Sequence, residues 1–146
     1  MLSGCASRPS ARGGESLGWQ GRLSVTVQTD PIQTNSAQFQ LLGDEETGEL
    51  VLFSPLGTTL AQIQWQAGLV HLHEGSNSQR FGSMAQLTRE LTGAELPVAA
   101  LFDWLKGRPH EVSGWAVDLS GLPTGALVAR RAQPQPLVTL RIQLEP

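Results

Sequence analysis

The sequence has 146 residues and a formal net charge of −3 at pH 7, with 40% hydrophobic and 16% charged residues. This length fits a single domain that buries about two-thirds of the surface of its unfolded chain, and the low charge content argues against an intrinsically disordered chain. No run of Lys or Arg occurs, so nucleic acid is not an expected partner. No apolar run reaches the roughly 18 residues that a membrane-spanning helix requires.

The N-terminal segment contains the only cysteine, Cys5. A single cysteine can form neither an internal disulfide nor a cysteine-rich zinc site. Small, polar, Gly and Pro residues dominate 6–18, and no apolar period occurs there, so the segment predicts a flexible tether. The letters LSGC at 2–5 resemble a bacterial lipobox, which makes Cys5 the predicted site of lipid attachment. The alternative is a chance stretch of small residues with an unmodified cysteine.

A secretory signal needs a basic region and an apolar region of 7–15 residues. Only Met1 and Leu2 stand ahead of the small residues of the lipobox, so we expect either a misplaced start codon or a trimmed sequence. Enterobacterial lipoproteins held at the inner membrane usually have Asp directly after the cysteine. Ala6 occupies that position here, which fits sorting to the outer membrane.

From Trp19 onwards apolar and polar residues alternate in short segments that are separated by turn residues, a pattern typical of β-strands. A turn or loop is predicted at 29–35, and a strand apolar on both faces is predicted at 49–54. Because short turns and no helix join these segments, the strands are expected to be antiparallel. The residues predicted to point inward are Leu23, Val25 and Val27, then Ala37, Phe39 and Leu41, then Ala61, Ile63 and Trp65, and finally Val138, Leu140, Ile142 and Leu144.

Two helical patterns interrupt the strands. In the first, at 82–93, Ser83 is the predicted N-cap, Gln86 completes a capping box and Gly93 ends the helix. In the second, at 96–109, Pro97 fits the first turn and Gly107 ends the helix. The predicted plan is about six antiparallel strands, two helices and about three further strands. Helices inserted in this way cover one face or mouth of a curved sheet and enclose a volume, either filled by side chains or open to an apolar ligand.

No pattern indicates catalysis, and no cofactor or metal is expected. His71 and His73 share one face of a strand, but a zinc site needs a third ligand, so a polar outer face explains them better. The acidic residues at 44–49 fit a solvated turn. The letters GESLG at 14–18 match G-x-S-x-G, but no strand precedes them and no helix follows, so an esterase that uses Ser16 is the weakest hypothesis.

The letters SPLG at 54–57 predict a type I turn with Pro55 at its second position and Gly57 at its fourth. Leu56 then lies near the tip of a hairpin, where a large apolar side chain has little to pack against. Solitary exposed leucines are common and usually have no function, so the turn alone leaves the role of Leu56 open.

Together with the lipobox, four segments make the chain resemble the LolB family of outer-membrane lipoprotein receptors. They are WQGRLSV at 19–25, GELVLFSPLGTTLAQI at 48–63, LTGAELPVAALFDWLKGRP at 91–109 and GWAV at 114–117. The resemblance implies a mainly antiparallel β fold with inserted helices, an incomplete, unclosed β-barrel with an α-helical lid over a hydrophobic cavity. We expect a lipobox remnant and tether at 1–18 and one lipoprotein-binding domain at 19–146.

The resemblance also implies a function. The protein would accept lipoproteins from a LolA-like periplasmic carrier and insert their acyl chains into outer-membrane lipid, without catalysis. It would act as a monomer at the periplasmic face of the outer membrane, anchored through Cys5. By the family pattern Leu56, flanked by Pro55 and Gly57, forms the membrane-insertion loop. The alternative is a structural, scaffolding lipoprotein of the outer membrane that has no ligand cavity.

Strand parity and helix period predict which side chains would line the acyl-chain cavity. A shift of strand parity by one residue would turn the strand residues of this set outward. The predicted residues are Phe39, Leu41, Leu52, Ile63, Trp65, Leu101, Phe102 and Leu105.

Overall fold

The computed structural model describes residues 18–145. The predicted lipobox at Cys5, Ser16 and all of the predicted tether except Gly18 lie outside the described residues. In chain order the elements are β1 (Gly18–Val27), β2 (Gln33–Gly43), β3 (Thr47–Phe53), β4 (Thr59–Gln66), β5 (Leu69–Glu74), β6 (Asn77–Phe81), α1 (Met84–Thr92), α2 (Val98–Leu105), β7 (Trp115–Asp118), a 3₁₀ turn (Leu122–Thr124), β8 (Ala126–Arg131) and β9 (Val138–Leu144).

The nine strands form one antiparallel sheet in the order β6-β5-β4-β3-β2-β1-β9-β8-β7. The first and last strands of the chain pair along their length, from Val138 opposite Val27 to Leu144 opposite Gly21. Strands β6 and β7 are the two edges of the sheet, so within residues 18–145 the barrel is not closed. This arrangement confirms the predicted fold class of an unclosed antiparallel β-barrel with inserted helices.

The inner face of the sheet carries the core, and the predicted strand parity is confirmed. In β4 the inward residues Ala61, Ile63 and Trp65 are all buried, and in β9 Val138 and Leu140 are buried as well. The start of β2 differs from the prediction, which assigned a loop to 29–35. Residues from Gln33 onward pair with β1, because the register runs without a break from Gln33 opposite Val27.

The two helices follow β6 and lie over the inner face. Helix α1 begins after Ser83, whose Oγ accepts a hydrogen bond from the backbone N–H of Gln86 at 3.1 Å, and Gly93 ends it with a φ of 87°. The Gln86 side chain accepts from the N–H of Gly82 at 3.2 Å rather than from Ser83 as a capping box would predict. Pro97 precedes the first turn of α2 instead of lying in it, with φ −84° and ψ 80°. Neither helix in residues 18–145 has the length and apolar character needed to cross a bilayer.

Candidate functional site: an apolar cavity beneath two helices

A cavity of about 300 Å³ lies between the inner face of the sheet and the two helices. Strands β1 to β4 and β9 form its walls, and α1 and α2 with the segment that connects them form its roof. Its lining is predominantly apolar. A volume of this kind is at the lower end of the range for small-molecule sites, which is about 300–1,000 Å³.

The structure places all eight predicted cavity residues along this lining. Leu52 and Leu101 are half-buried and the other six are buried. They come together because alternate residues of neighbouring strands share a face, while the helix period turns one side of α2 towards that face. Contact of these side chains with acyl chains stays a prediction.

Aromatic side chains form one end of the cavity and hold α2 in place. The ring of Phe102 packs edge-to-face between Trp19, at a centroid distance of 5.9 Å, and Trp65, at 6.2 Å. The Trp65 indole N–H donates to the carbonyl oxygen of Asp44 at 2.8 Å, which fixes the ring. Gly48 lies directly opposite Trp65 on β3, and a Cβ there would overlap Cζ2 of the indole. The absence of a side chain at Gly48 therefore lets the indole lie close to the backbone of β3.

Sequence reasoning missed the polar part of the lining. Thr88 and Thr92 of α1 and Asn35 and Ser36 of β2 all line the cavity, and Glu74 does so with an exposed side chain. The helix period places Thr88 one turn from Met84 and Thr92, so this signal was present in the sequence. The hydroxyl of Thr88 donates to the carbonyl oxygen of Ala85 at 3.1 Å. It also accepts from the N–H of Leu96, in the segment between the helices, at 3.0 Å. The hydroxyl therefore holds α1 to the segment that leads to α2.

The hairpin between β3 and β4 carries the exposed leucine. The N–H of Gly57 donates to the carbonyl oxygen of Ser54 at 2.9 Å, the hydrogen bond of a four-residue turn with Leu56 at its third position. The N–H of Thr58 donates to Oγ of Ser54 at 3.2 Å, and Gly57 has a φ of 90° that favours glycine. Leu56 is 95% exposed. The turn predicted from the letters SPLG therefore presents a leucine to solvent on a braced loop.

The exposed leucine and the cavity belong to the same hairpin. Leu52 on β3 and Ala61 on β4 line the cavity, and the loop between them carries Leu56. Leu60 also lines the cavity and is 47% exposed, so the apolar lining reaches the surface on the Leu56 side of β4.

The acidic turn before β3 is held by its own hydrogen bonds. Oδ1 of Asp44 accepts from the backbone N–H groups of Thr47 at 2.9 Å and Glu46 at 2.8 Å. These hydrogen bonds, the one from Thr47 first, lower the pKa of Asp44 below its ordinary value of 3.8. Asp44 therefore shapes the turn that also receives the Trp65 indole.

The two strand histidines form no metal centre with a third group. The rings of His71 and His73 stack at a centroid distance of 6.4 Å, and Nδ1 of His73 lies 2.7 Å from Oγ of Ser78. In the part of the chain from 18 to 145 no three His, Cys, Asp or Glu side chains converge to hold an ion.

Comparison with known proteins assigns a family to this architecture. The family model described as "Outer membrane lipoprotein LolB" matches residues 16–131. Proteins named outer-membrane lipoprotein LolB are similar to the chain: one from Bordetella petrii at 27% identity over 97% of the chain and 85% of that protein, and one from Ralstonia nicotianae at 33% over 93% and 65%.

A third protein of that name, from Halorhodospira halophila, is 37% identical over 70% of the chain and 51% of its own length. The chain thus spans between about half and most of the relatives that it matches. These relatives support an outer-membrane location for the protein. The chain belongs to the LolB family of outer-membrane lipoproteins, a family of lipoprotein receptors and not of enzymes, as its sequence predicts.

Proposed function

We propose that this protein accepts lipoproteins from a LolA-like periplasmic carrier and places their acyl chains in the outer membrane, without catalysis. The single observation that carries the proposal is the apolar cavity under α1 and α2. A scaffolding lipoprotein needs no such space. Family membership and the exposed Leu56 support the same function.

The cavity offers acyl chains an environment that water does not. Each buried CH₂ group contributes about 0.8 kcal/mol, so a chain that is only partly enclosed is already held firmly. The lining offers few polar atoms for directional contacts, which suits cargo that differs in its protein part but shares its lipid part. Because the volume of about 300 Å³ is small, binding of several chains requires the roof to move outward.

Transfer without ATP in the periplasm has to run downhill in affinity. The carrier must hold the acyl chains less tightly than this receptor, and the receptor less tightly than the bilayer. Each tenfold step requires about 1.4 kcal/mol, which a few methyl contacts supply. A cavity with an apolar lining and a movable roof can meet this requirement without any chemical step.

Leu56 is the proposed contact with the bilayer. A leucine that moves from water into an apolar environment contributes about 1.5–3 kcal/mol. The braced turn presents this side chain at no further ordering cost, and its place beside the hairpin end of the cavity brings cargo and bilayer together. We further propose that lipid on Cys5 holds the protein at the periplasmic face of the outer membrane as a monomer, with the segment at 1–18 as tether for the domain at 19–146.

Filling the cavity tests the receptor function. Ala37 lines the cavity and is half-buried, whereas Ala116 is exposed on β7. We expect Ala37→Phe to weaken saturable binding of an apolar fluorescent dye, and its displacement by lipoprotein, about tenfold or more, and Ala116→Phe to change neither. Equal binding by both variants, or no saturable site in the wild type, would favour the scaffolding alternative.

A charge at the turn tip tests the insertion step. Leu56→Glu should leave the fold and dye binding intact and should lower delivery of lipoprotein from carrier to vesicles about tenfold or more. Ile32 is 59% exposed in the loop between β1 and β2, so Ile32→Glu is the matched control and should deliver normally. Normal delivery by Leu56→Glu would remove the insertion loop from the proposal.

A further inference from the structure

Two arginines lie side by side on the outer face of the sheet, where β1 pairs with β9. Arg22 stands opposite Gln143 and Arg141 stands opposite Ser24, so the two arginines are diagonal neighbours. Diagonal neighbours across an antiparallel pair have Cα atoms about 7–8 Å apart, within reach of two long side chains that act on one surface. Both arginines are exposed.

Neither arginine has an acidic partner among the described residues. The ion pairs within residues 18–145 are Arg89 with Glu95 and His110 with Asp103, away from this surface. Across β2 and β8 the facing residues are also uncharged, with Gln38 opposite Arg22 and Val128 opposite Arg141. The two guanidinium groups therefore keep their hydrogen-bonding capacity for an external ligand.

A groove of about 540 Å³ connects this arginine pair with the exposed leucine loop. The groove crosses the outer face of β8, β9, β1 and β2, and both Arg22 and Arg141 line it. Pro55, the residue directly before Leu56, also lines the groove. The positive pair and the apolar tip are thus parts of one continuous surface.

We propose that Arg22 and Arg141 bind phosphate groups of anionic phospholipids when the Leu56 loop meets the bilayer. The inference rests on the proposed function in that Leu56 is taken to enter the bilayer. A planar guanidinium donates two parallel hydrogen bonds to a phosphate, which a point charge cannot do. When Leu56 inserts, the residues around it reach the layer of lipid headgroups. The phosphates of this layer are the proposed ligand.

The net charge of the whole chain favours an approach in which this pair faces the lipid. With a net charge of −3 the protein is repelled as a whole by an anionic leaflet, so it must approach with a positive region facing the lipid. The residues that line the groove include Arg22 and Arg141 and no Asp or Glu, so this surface provides the positive region. Glu145 lies beside it and accepts a hydrogen bond from the Gln20 side chain. The arginine pair therefore orients the molecule as well as holding it.

The test is sedimentation of the full 146-residue chain, without lipid on Cys5, with two kinds of vesicle. One kind contains phosphatidylcholine only and the other contains phosphatidylcholine with phosphatidylglycerol. The double variant Arg22→Gln with Arg141→Gln should lose about 30-fold in affinity for the anionic vesicles, since each arginine near the surface contributes about 1 kcal/mol. Its binding to the neutral vesicles should change much less, because the choline of phosphatidylcholine offsets the charge of its phosphate.

Arg80 of edge strand β6 and Arg108 after α2 provide the matched control, because both are exposed and lie away from the groove. Arg80→Gln with Arg108→Gln lowers the net charge by the same amount and should bind the anionic vesicles nearly as well as the wild type. Equal losses in both double variants would reduce the effect to net charge and overturn the proposal. Unchanged vesicle binding with impaired acceptance from the carrier would also overturn it and would assign the pair to a protein partner.

A further variant separates this inference from the proposed function. Leu56→Ser should weaken binding to both kinds of vesicle, because it removes apolar contact rather than charge. If Leu56→Ser has no effect while the arginine variant does, the insertion loop fails and the headgroup site stands. If only Leu56→Ser has an effect, the headgroup site fails and the insertion loop stands.

Discussion

The two helices that roof the cavity are held in different ways. In the eight residues of α2, four are buried, including Phe102 and Trp104. In the nine residues of α1 only Leu87 and Thr88 are buried. Helix α2 packs against the sheet through aromatic rings, whereas α1 contacts it with a narrow apolar stripe and leaves Gln86, Arg89 and Glu90 exposed.

The difference indicates which part of the roof moves. Helix α1 is tied to the connecting segment by two threonines: Oγ1 of Thr92 lies 2.9 Å from the carbonyl oxygen of Ala94, and Oγ1 of Thr88 accepts from the N–H of Leu96 at 3.0 Å. These hydrogen bonds join α1 to the segment before α2, not to the sheet. We expect α2 to stay fixed while α1 swings on this segment, which would enlarge a cavity that is small for acyl chains.

The largest predicted effect comes from removing the main anchor of α2. Trp104 is 1% exposed, packs against Trp115 at a centroid distance of 6.4 Å, and donates its indole N–H to the carbonyl oxygen of His110 at 3.1 Å. Trp104→Ala should lower the free energy of unfolding in urea by about 3–5 kcal/mol. The half-buried Leu91 of α1 borders a cavity already, so Leu91→Ala should cost clearly less. Equal costs would contradict the proposed difference between the helices.

The second prediction concerns Gly48 of β3, which lies opposite Trp65 and so affects the packing of α2 against that ring. A Cβ on Gly48 would overlap the Trp65 ring and lie 2.6 Å from the carbonyl oxygen of Leu42. Gly48→Ala should therefore lower the free energy of unfolding by about 1–3 kcal/mol and alter tryptophan fluorescence, because Trp65 must move against Phe102. Gly82→Ala is the control, since the closest atom to its added Cβ is 3.7 Å away. A neutral Gly48→Ala would mean that Trp65 does not fix α2.

The sequence predicts those parts of this arrangement that depend on local pattern. Alternation with period two places Ile63 and Trp65 on the inner face, and the caps Ser83 and Gly93 follow from backbone groups that only neighbouring residues can satisfy. The turn around Leu56 is predictable for the same reason. Each of these features is determined within a few residues, so one sequence contains the necessary information.

Other parts depend on pairing between distant segments. Residues 33–35 read as a loop because they sit among turn-forming residues, yet β1 pairs with them and makes them a strand. Arg22 and Arg141 become neighbours only through the pairing of β1 with β9. Tertiary contacts decide these cases, and no local pattern records them.

The third prediction loosens α1 and leaves α2 in place. Ser83→Ala removes the N-cap hydrogen bond to the N–H of Gln86 and should cost about 1 kcal/mol. Backbone amides of α1 should then exchange with deuterium faster, while those of α2 keep their protection. Ser113 is an exposed serine outside the helices, and Ser113→Ala should change neither set. Faster exchange in both helices would show that they open together.

The smallest effect concerns the charge of Asp44. Its carbonyl oxygen accepts a hydrogen bond from the Trp65 indole N–H and so helps to hold the ring that packs against α2. The native pKa of Asp44 lies below its ordinary value of 3.8, because the backbone N–H groups of Thr47 and Glu46 donate to the carboxylate. The charge therefore stabilises the fold fully above pH 3.8, and this contribution disappears as the pH falls through the native pKa.

Asp44→Asn keeps an acceptor oxygen but removes the charge, so its melting temperature should be slightly below that of the wild type at pH 7. The difference should vanish in acid, well below pH 3.8. Glu45→Gln removes a charge from the same turn and controls for net charge. A difference that persists or grows in acid would mean that Asp44 acts through its shape and not its charge, and the link from this turn through Trp65 to α2 would then be purely steric.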